Sequence, residues 1–462
     1  MRKDNLFAGP LFLILTSQAP AFIVMKDIET QKTNRRSFIK TSGKAVAAGG
    51  LAFPSVTFGK PDSRKLKIGF IGCGGRGTGA ATQALTADSN VELWAMGDVS
   101  QDRLDRSFKS VKGSHGNKVN VEEKRQFVGL DSYSKVLDSG IDLAILTTPP
   151  GFRPQHFKAA VDAGMHVFLE KPMATDAPGL RSVMESAELA KKKGLSVVAG
   201  FCWRYHEARR EFYKRIHEGE IGDLLSVYAT YYTGPVKPMP ADSSRKDEWS
   251  DIEWQVRNWY NFAWCGGDGL IEQAVHSVDK LGWAMKDKPP LSCVAVGGRQ
   301  IPNNSGNIFD HFEINYLYDE GVRGYLGCRQ QRGCHNENND YLIGTEGRAE
   351  IAGGRCVIHN KKGRWDYRGP QPNMYQVEHD EMYLAIRKGE PINDGKRMCT
   401  STMMALMGRM AAYTGRQVSW DMAMNSKEDR FPKDLNWNTG KHEVPPLAAP
   451  GISQTIAPHK WG

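Results

Sequence analysis

Apolar positions in the first half of the chain come in short unbroken runs that alternate with helix-compatible stretches. Residues 67–71, 91–97, 142–146, 166–169 and 196–199 predict strands, and residues 78–85, 101–112, 156–164 and 176–193 predict the helices between them. Strands that are apolar on successive positions are covered on both faces, and their alternation with helices of this length specifies a doubly wound parallel sheet. Beyond about residue 200 the pattern changes. Residues 227–232, 292–296, 311–317 and 324–328 are β-rich and separated by turn residues, which predicts a mainly antiparallel open sheet. Two helices are expected there, roughly 270–285 and 396–414, and the tail from Phe431, rich in Pro, Asn and Gly, reads as extended over the surface. The expected class is α/β: a leader over 1–59, a parallel-sheet domain over 65–200, an α+β domain over 201–430 and a tail over 431–462.

The 462 residues, 40% hydrophobic and 24% charged, fit a folded protein of two or three domains, which excludes disorder, collagen and coiled coil. A net charge of +9 invites nucleic acid or membrane partners until its distribution is read. Residues 1–59 hold eight cations against three anions, a net +5, and the other 403 residues carry +4 with their cations interleaved among acids. No nucleic-acid footprint is expected. Within the leader, Asn34-Arg35-Arg36-Ser37-Phe38-Ile39-Lys40 precedes a mildly apolar stretch at 45–54, which resembles a twin-arginine export signal. That resemblance implies passage of the folded protein through the twin-arginine machinery to the periplasm or beyond. A disordered basic tail is the alternative. The apolar stretch 6–24 is interrupted by Gly9, Pro10 and Pro20, and a start at Met25 would give a more ordinary signal. The eight cysteines are scattered without zinc spacing, so free buried thiols are expected, although Cys328 and Cys334 are near enough in sequence to pair in an oxidising compartment.

Gly72-x-Gly74-x-x-Gly77 joins the first predicted strand to the first predicted helix, and Asp98 closes the next strand 21 residues after Gly77. This context makes the glycines a dinucleotide-binding, Rossmann-type fingerprint. Gly72 makes the turn, Gly74 admits the pyrophosphate to the backbone, Gly77 packs closely, and the helix N-terminus offers unpaired N–H groups. Asp98 would accept hydrogen bonds from the adenosine ribose and repel a 2′-phosphate, so NAD is favoured over NADP. Arg76 works in the opposite direction, since a cation in the loop can meet a phosphate.

Glu170-Lys171-Pro172 follows a strand, which puts Lys171 at the carboxyl edge of the sheet where ligands bind. Downstream, Glu272, His276 and Asp279 share a face if their segment is helical. With the Thr147-Thr148-Pro149-Pro150 turn, these motifs resemble the family of glucose–fructose oxidoreductase, inositol dehydrogenase and MocA (Gfo/Idh/MocA) over most of residues 65–420. The resemblance implies NAD or NADP as cofactor and sugars or polyols as substrates. It adds Thr147, Pro149, His156, Glu170 and Lys171 to the cofactor contacts and implies a homo-oligomer. Many members carry Asp where this chain has Glu272.

Oxidising an alcohol to a ketone needs a base at the hydroxyl and a positive group to steady the developing alkoxide. His276 fits the base, because its ordinary pKa lies near neutrality. Lys171 fits the positive group, and burial would let it share the proton. Asp279 or Glu272 would orient the imidazole. Bland readings exist for each: a solvated helix histidine, a surface pair of Lys171 with Glu170, and a solvated Glu272. A metal site built from Glu272, His276 and Asp279 lacks a second suitably spaced His, so no metal is expected.

Trp203, Arg204 and Tyr205, just past the last parallel strand, are candidate substrate contacts, as is Asp279. Trp249, Trp254, Trp259 and Trp264 recur every five residues, a turn of about 140° per step on a helix, so they share no face. They are candidates for a carbohydrate cleft or for packing. The leading expectation is an exported NAD-dependent oxidoreductase acting on a sugar, sugar acid or glycoside, with its cofactor carried in and regenerated in place. The rivals are an NAD-dependent glycosidase or lyase using transient oxidation, and a non-catalytic NAD-binding regulator.

Overall fold

A computed structural model describes residues 63–453, so the leader with Arg35 and Arg36 lies outside the described residues. Leu66–Ile71 (β1), Val91–Asp98 (β2), Gln126–Val128 (β3), Leu143–Leu146 (β4), His166–Leu169 (β5) and Val197–Ala199 (β6) form one parallel sheet in the order β3-β2-β1-β4-β5-β6. Its connecting helices are Gly75–Ala87 (α1), Gln101–His115 (α2), Ser132–Leu137 (α3), Arg153–Asp162 (α4) and Ala177–Lys192 (α5). All of β4 and all but Lys67 of β1 are buried, as unbroken apolar runs require when helices cover both faces. The strand order reverses between β1 and β4, which opens a crevice at their carboxyl ends.

The chain continues through Glu207–His217 (α6), Leu224–Thr233 (β7) and Asp251–Arg257 (α7), then a π-helical turn at Leu270–Ala274 that runs into Val275–Ala284 (α8). Ser292–Gly298 (β8), His311–Leu317 (β9), Arg323–Gln330 (β10), Asp340–Gly344 (β11), Gly347–Ala352 (β12), Arg355–Asn360 (β13) and Gly363–Asp366 (β14) follow. Met374–Lys388 (α9), Gly395–Thr414 (α10), Val418–Ser419 (β15) and Trp420–Met424 (α11) complete the elements. The second sheet has the order β14-β13-β12-β11-β7-β10-β9-β8-β15. Within this sheet, among the described residues, only the β7/β10 pair is parallel. The α10 helix is buried almost all round, because it packs on α5, α8 and β8 at once and so welds the two sheets together.

Three features depart from the sequence expectation. The hairpins β11–β14 are added, their half-buried strands mixing charge with apolar residues. The α9 helix returns to the first sheet's side, where Gln376 Nε2 donates to the Gln83 carbonyl at 3.1 Å and Arg387 pairs with Asp88 at 2.7 Å. The tail is more than a surface strap: Trp437 and His442 carbonyls accept bonds from Ser250 Oγ (2.6 Å) and Gln255 Nε2 (2.7 Å), and Phe431 meets Phe152 and Trp264 edge-on. Cys328 is buried in β10 and Cys334 exposed, and both are free thiols rather than partners.

The expectation that Arg204, Tyr205 and Asp279 meet substrate is corrected here. Arg204 and Asp279 form a bidentate pair, with Nε to Oδ2 and Nη2 to Oδ1 both at 2.9 Å, and their side chains are only 4% and 2% exposed. Asp287 adds a second carboxylate at 2.5 Å, and Ser401 Oγ donates to Asp279 Oδ1 at 2.8 Å. A guanidinium withdrawn from water requires such partners, and the network docks the turn after β6, α8 and α10 on one another. Tyr205 is equally buried and donates to Asp394 Oδ2 at 3.4 Å. Replacing Arg204 by Ala strands two carboxylates and is expected to cost about 3–5 kcal/mol in chemical denaturation. A loss below 1 kcal/mol would show that the network is not structural.

Candidate active site

The crevice at the β1/β4 reversal opens into a cavity of about 730 Å³, well inside the range of small-molecule sites. Its floor is the fingerprint loop. Gly72 has φ +96°, where side-chain residues are strained, and a Cβ on Gly77 would stand 2.2 Å from the Gly72 carbonyl and 2.4 Å from Thr147 Oγ1. A Cβ on Gly74 or Gly75 would meet nothing within 4 Å and would instead fill cavity space. Gly74 begins α1 without any side-chain cap, so the first-turn N–H groups are available to a phosphate. Asp98 holds the loop from the next strand, accepting from Cys73 N at 2.6 Å and Ser100 N at 2.9 Å, and burial raises its pKa. These features fit a dinucleotide, with Gly74–Gly77 toward its pyrophosphate and Asp98 toward a ribose.

Arg76 lines the cavity but is not free to meet a phosphate. Its guanidinium is bound by Glu170 Oε1 at 2.5 Å and Glu378 Oε1 at 2.8 Å, which ties α1 to the strand end at Glu170 and to α9. Thr147 Oγ1 donates to the Gly72 carbonyl at 2.7 Å, and Pro149 starts the turn that leads into α4. His156 stacks on Tyr133 and shares a 3.1 Å bond with Thr148 Oγ1. Burial, aided by Arg153, pulls its pKa down to about 3, so it enters the site as a neutral ring.

Lys171 and His276 face the same cavity, from the two sheets' sides. Lys171 Nζ donates to the carbonyl of Glu272 at 2.5 Å and to its Oε1 at 3.0 Å. Gln273 Nε2 donates to Glu272 Oε2 at 2.5 Å and its own Oε1 accepts from Tyr231 OH at 2.7 Å. The segment 270–274 is a π turn rather than the α-helix expected; it runs into α8, and Glu272 and His276 both face the cavity from it. Glu272 is thereby a partner of Lys171 and, among the described residues, does not bond the imidazole; Asp279 is committed to Arg204. Burial comes first in holding the His276 pKa well below its ordinary value, followed by Lys171, Lys280, Arg76 and Arg209. Trp203 is behind that ring, centroids 5.2 Å apart, and carries Lys280 over its own face, so it walls His276 rather than lining the cavity.

Thr148, Arg153, Lys237, Tyr260, Gln273 and Tyr375 also line the cavity; the sequence pattern includes Thr148 only within the 147–150 turn and assigns none of the six to the site. Arg153 donates to the carbonyls of Thr148 and Pro172, both at 2.5 Å, and so fixes the strand end that carries Lys171. No spacing rule marks any of the six. Of the four tryptophans, Trp259 lines the cavity, whereas Trp254 and Trp264 are core and Trp249 stacks on Trp254.

Residues 66–201 match the NAD-binding Rossmann-fold domain of the GFO/IDH/MocA oxidoreductases, and residues 210–350 match that family's C-terminal domain. The chain belongs to the Gfo/Idh/MocA family. It is 30% identical to an inositol 2-dehydrogenase of Acidiphilium cryptum over 70% of this chain and 87% of that one. It spans about half the length of other curated relatives that it matches, among them a glycosyl hydrolase family 109 protein of Streptomyces coelicolor, 26% identical over 43% of this chain and 40% of that one. The fold is shared with the aldose–aldose oxidoreductase of Caulobacter crescentus solved with glycerol, at TM-score 0.61 and 19% identity, covering 77% of this chain and all of that one.

The second and third glycines of the fingerprint separate by experiment. Gly77→Ala is expected to lower stability by about 1–3 kcal/mol, because its Cβ overlaps backbone. Gly74→Ala is expected to leave denaturation unchanged and weaken NAD binding in calorimetry. Equal NAD affinity for Gly74→Ala and wild type would remove the loop from the cofactor site.

Proposed function

We propose that this protein is an NAD-dependent oxidoreductase that moves a hydride between a carbohydrate C–H(OH) carbon and nicotinamide. The supporting observation is that Lys171 and a neutral His276 open on the cavity whose floor is the Gly72–Gly77 loop. Bound NAD would supply C4 of its nicotinamide as the hydride acceptor. The chain's own residues handle the proton. His276, kept uncharged, takes the hydroxyl proton as the C–H electron pair departs with its hydrogen. Lys171 presents an N–H to the same oxygen and stabilises the negative charge that develops there. Glu272 holds that ammonium in place through both its carbonyl and its carboxylate, which explains why the longer acid suits this position. Gln273 and Tyr260 line the cavity beside them, their polar groups held by Glu272, Tyr231 and Gln330.

A second reading draws on the similarity to a family 109 glycosyl hydrolase: transient oxidation of one sugar carbon that loosens a neighbouring glycosidic bond. Accumulating keto product and NADH supports the oxidoreductase, whereas cleavage without net reduction supports the hydrolase. We also propose that the leader exports the folded protein by the twin-arginine route with cofactor aboard. Replacing Arg35 and Arg36 together by Lys should then retain it in the cytoplasmic fraction; unaltered export would sink that idea. Finally, we propose a homo-oligomer formed through the open sheet face, where Val296, Ile343, Leu225 and Val294 are exposed. Light scattering on Val296→Asp should report a smaller particle than wild type, and an unchanged mass would move the interface elsewhere.

For the chemistry, His276→Ala is expected to lower kcat by about 10²–10⁴-fold, and Lys171→Ala to reduce turnover strongly, each with NAD affinity retained in calorimetry. A base works deprotonated, so a depressed His276 pKa places the acid limb of kcat/KM below pH 6.5. Unchanged turnover in either variant would remove that residue from the mechanism.

A further inference from the structure

The cations that line the cavity are not equivalent. Lys171 is neutralised by Glu272 and Arg76 by Glu170 and Glu378. Arg153 is bonded to carbonyls deep in the wall. Lys237 and Arg103 also line the cavity, and among the described residues neither forms a salt bridge, although Arg103 acts on Asp98 and Glu272 on Lys237 at longer range. Lys237 Nζ makes one bond, to the Arg257 carbonyl at 3.2 Å, and stands 5.3 Å from the Trp259 ring centroid. Burial lowers its pKa to about 8, and Arg103 adds to that. A half-buried ammonium with two open donor positions, in a cavity with a second cation outside any salt bridge, is a site made for an anion.

Its place along the cavity identifies which anion. Asp98 marks the end where a ribose is held, and Arg103 acts on both Asp98 and Lys237. Lys171, Glu272 and His276 mark the reacting end, and Glu272 also acts on Lys237. Lys237 lines one cavity together with Gly74, Gly75 and Asp98 and with Lys171, Glu272 and His276, and a dinucleotide lying over Gly74 and Gly75 carries its pyrophosphate between those two sets. We propose that Lys237 is a pyrophosphate ligand contributed by the second domain, closing from above the cage that the fingerprint loop opens from below. This rests on the NAD-binding reading.

The roof that carries Lys237 is braced. Lys237 bonds the last residue of α7, and α7 is held by the tail: Ile252 N donates to the Gly440 carbonyl at 3.3 Å, and Asp251 Oδ2 accepts from His442 N at 3.2 Å. The ammonium is thus positioned before the cofactor arrives, which limits the ordering cost of binding.

Calorimetry on full-length protein freed of nucleotide, with NAD, ADP-ribose and adenosine as probes, tests the proposal. Lys237→Ala and Lys237→Gln are expected to weaken NAD and ADP-ribose by about tenfold or more, to flatten the salt dependence of both, and to leave adenosine competition unchanged. Lys237→Arg should restore most of the loss. ADP-ribose binding within twofold of wild type in both neutral variants overturns the proposal, including the case where only KM for an acidic sugar rises, which would assign Lys237 to substrate. Wild-type protein that binds neither NAD nor ADP-ribose would overturn the cofactor reading itself.

Discussion

The contact between Lys171 and Glu272 holds the site together. It joins the carboxyl edge of the parallel sheet to the π turn under the second sheet, 101 residues further along the chain. An ammonium whose side chain is only 9% exposed needs an acceptor, and it finds two on one residue. The π turn makes this possible, because relaxing the α-helical bonding leaves the Glu272 carbonyl within reach of a side chain. The register of α8, and with it the position of His276, follows from where that turn is pinned.

Charge placement around α8 does the rest. On one side Arg204 is held by Asp279 and Asp287. On the other, Lys280 and Arg209 share Asp340, and Lys280 contacts the back of Trp203 while Trp203 contacts His276. Two cations against one carboxylate leave positive character behind the imidazole. Together with burial this disfavours a charged ring, which is the protonation state that a base requires. The same helix thus carries the histidine and the buried ions that set its electrostatics.

The nucleotide side is built on a different economy. Asp98 and the glycine loop present backbone and one carboxylate, and the nearby Arg76 is spent on Glu170 and Glu378. A further positive charge in the cavity, Lys237, comes from the second domain, bonded to α7, which the tail braces. Cofactor and substrate sides are therefore not separate modules: α9, α10 and residues 431–445 all cross between them.

Much was legible in the linear pattern. Unbroken apolar strands between helices specify the parallel sheet, the fingerprint glycines with Asp98 specify the dinucleotide edge, and Lys171 and His276 are marked by short local motifs. These are consequences of period, turn geometry and spacing, which act over a few residues. What spacing could not decide was which charged residues face the cavity and which are consumed inside the fold. Arg204 and Asp279 look as reactive as Lys171 and Glu272 in sequence, yet one pair is core and the other is at the cleft. The strands β11–β14, the role of Trp203 as a wall, the capture of Arg76 and the arrival of Lys237 also required tertiary structure. The reason is physical: a charge's function depends on whether its partner is protein or ligand, and those partners lie many tens of residues away in the chain.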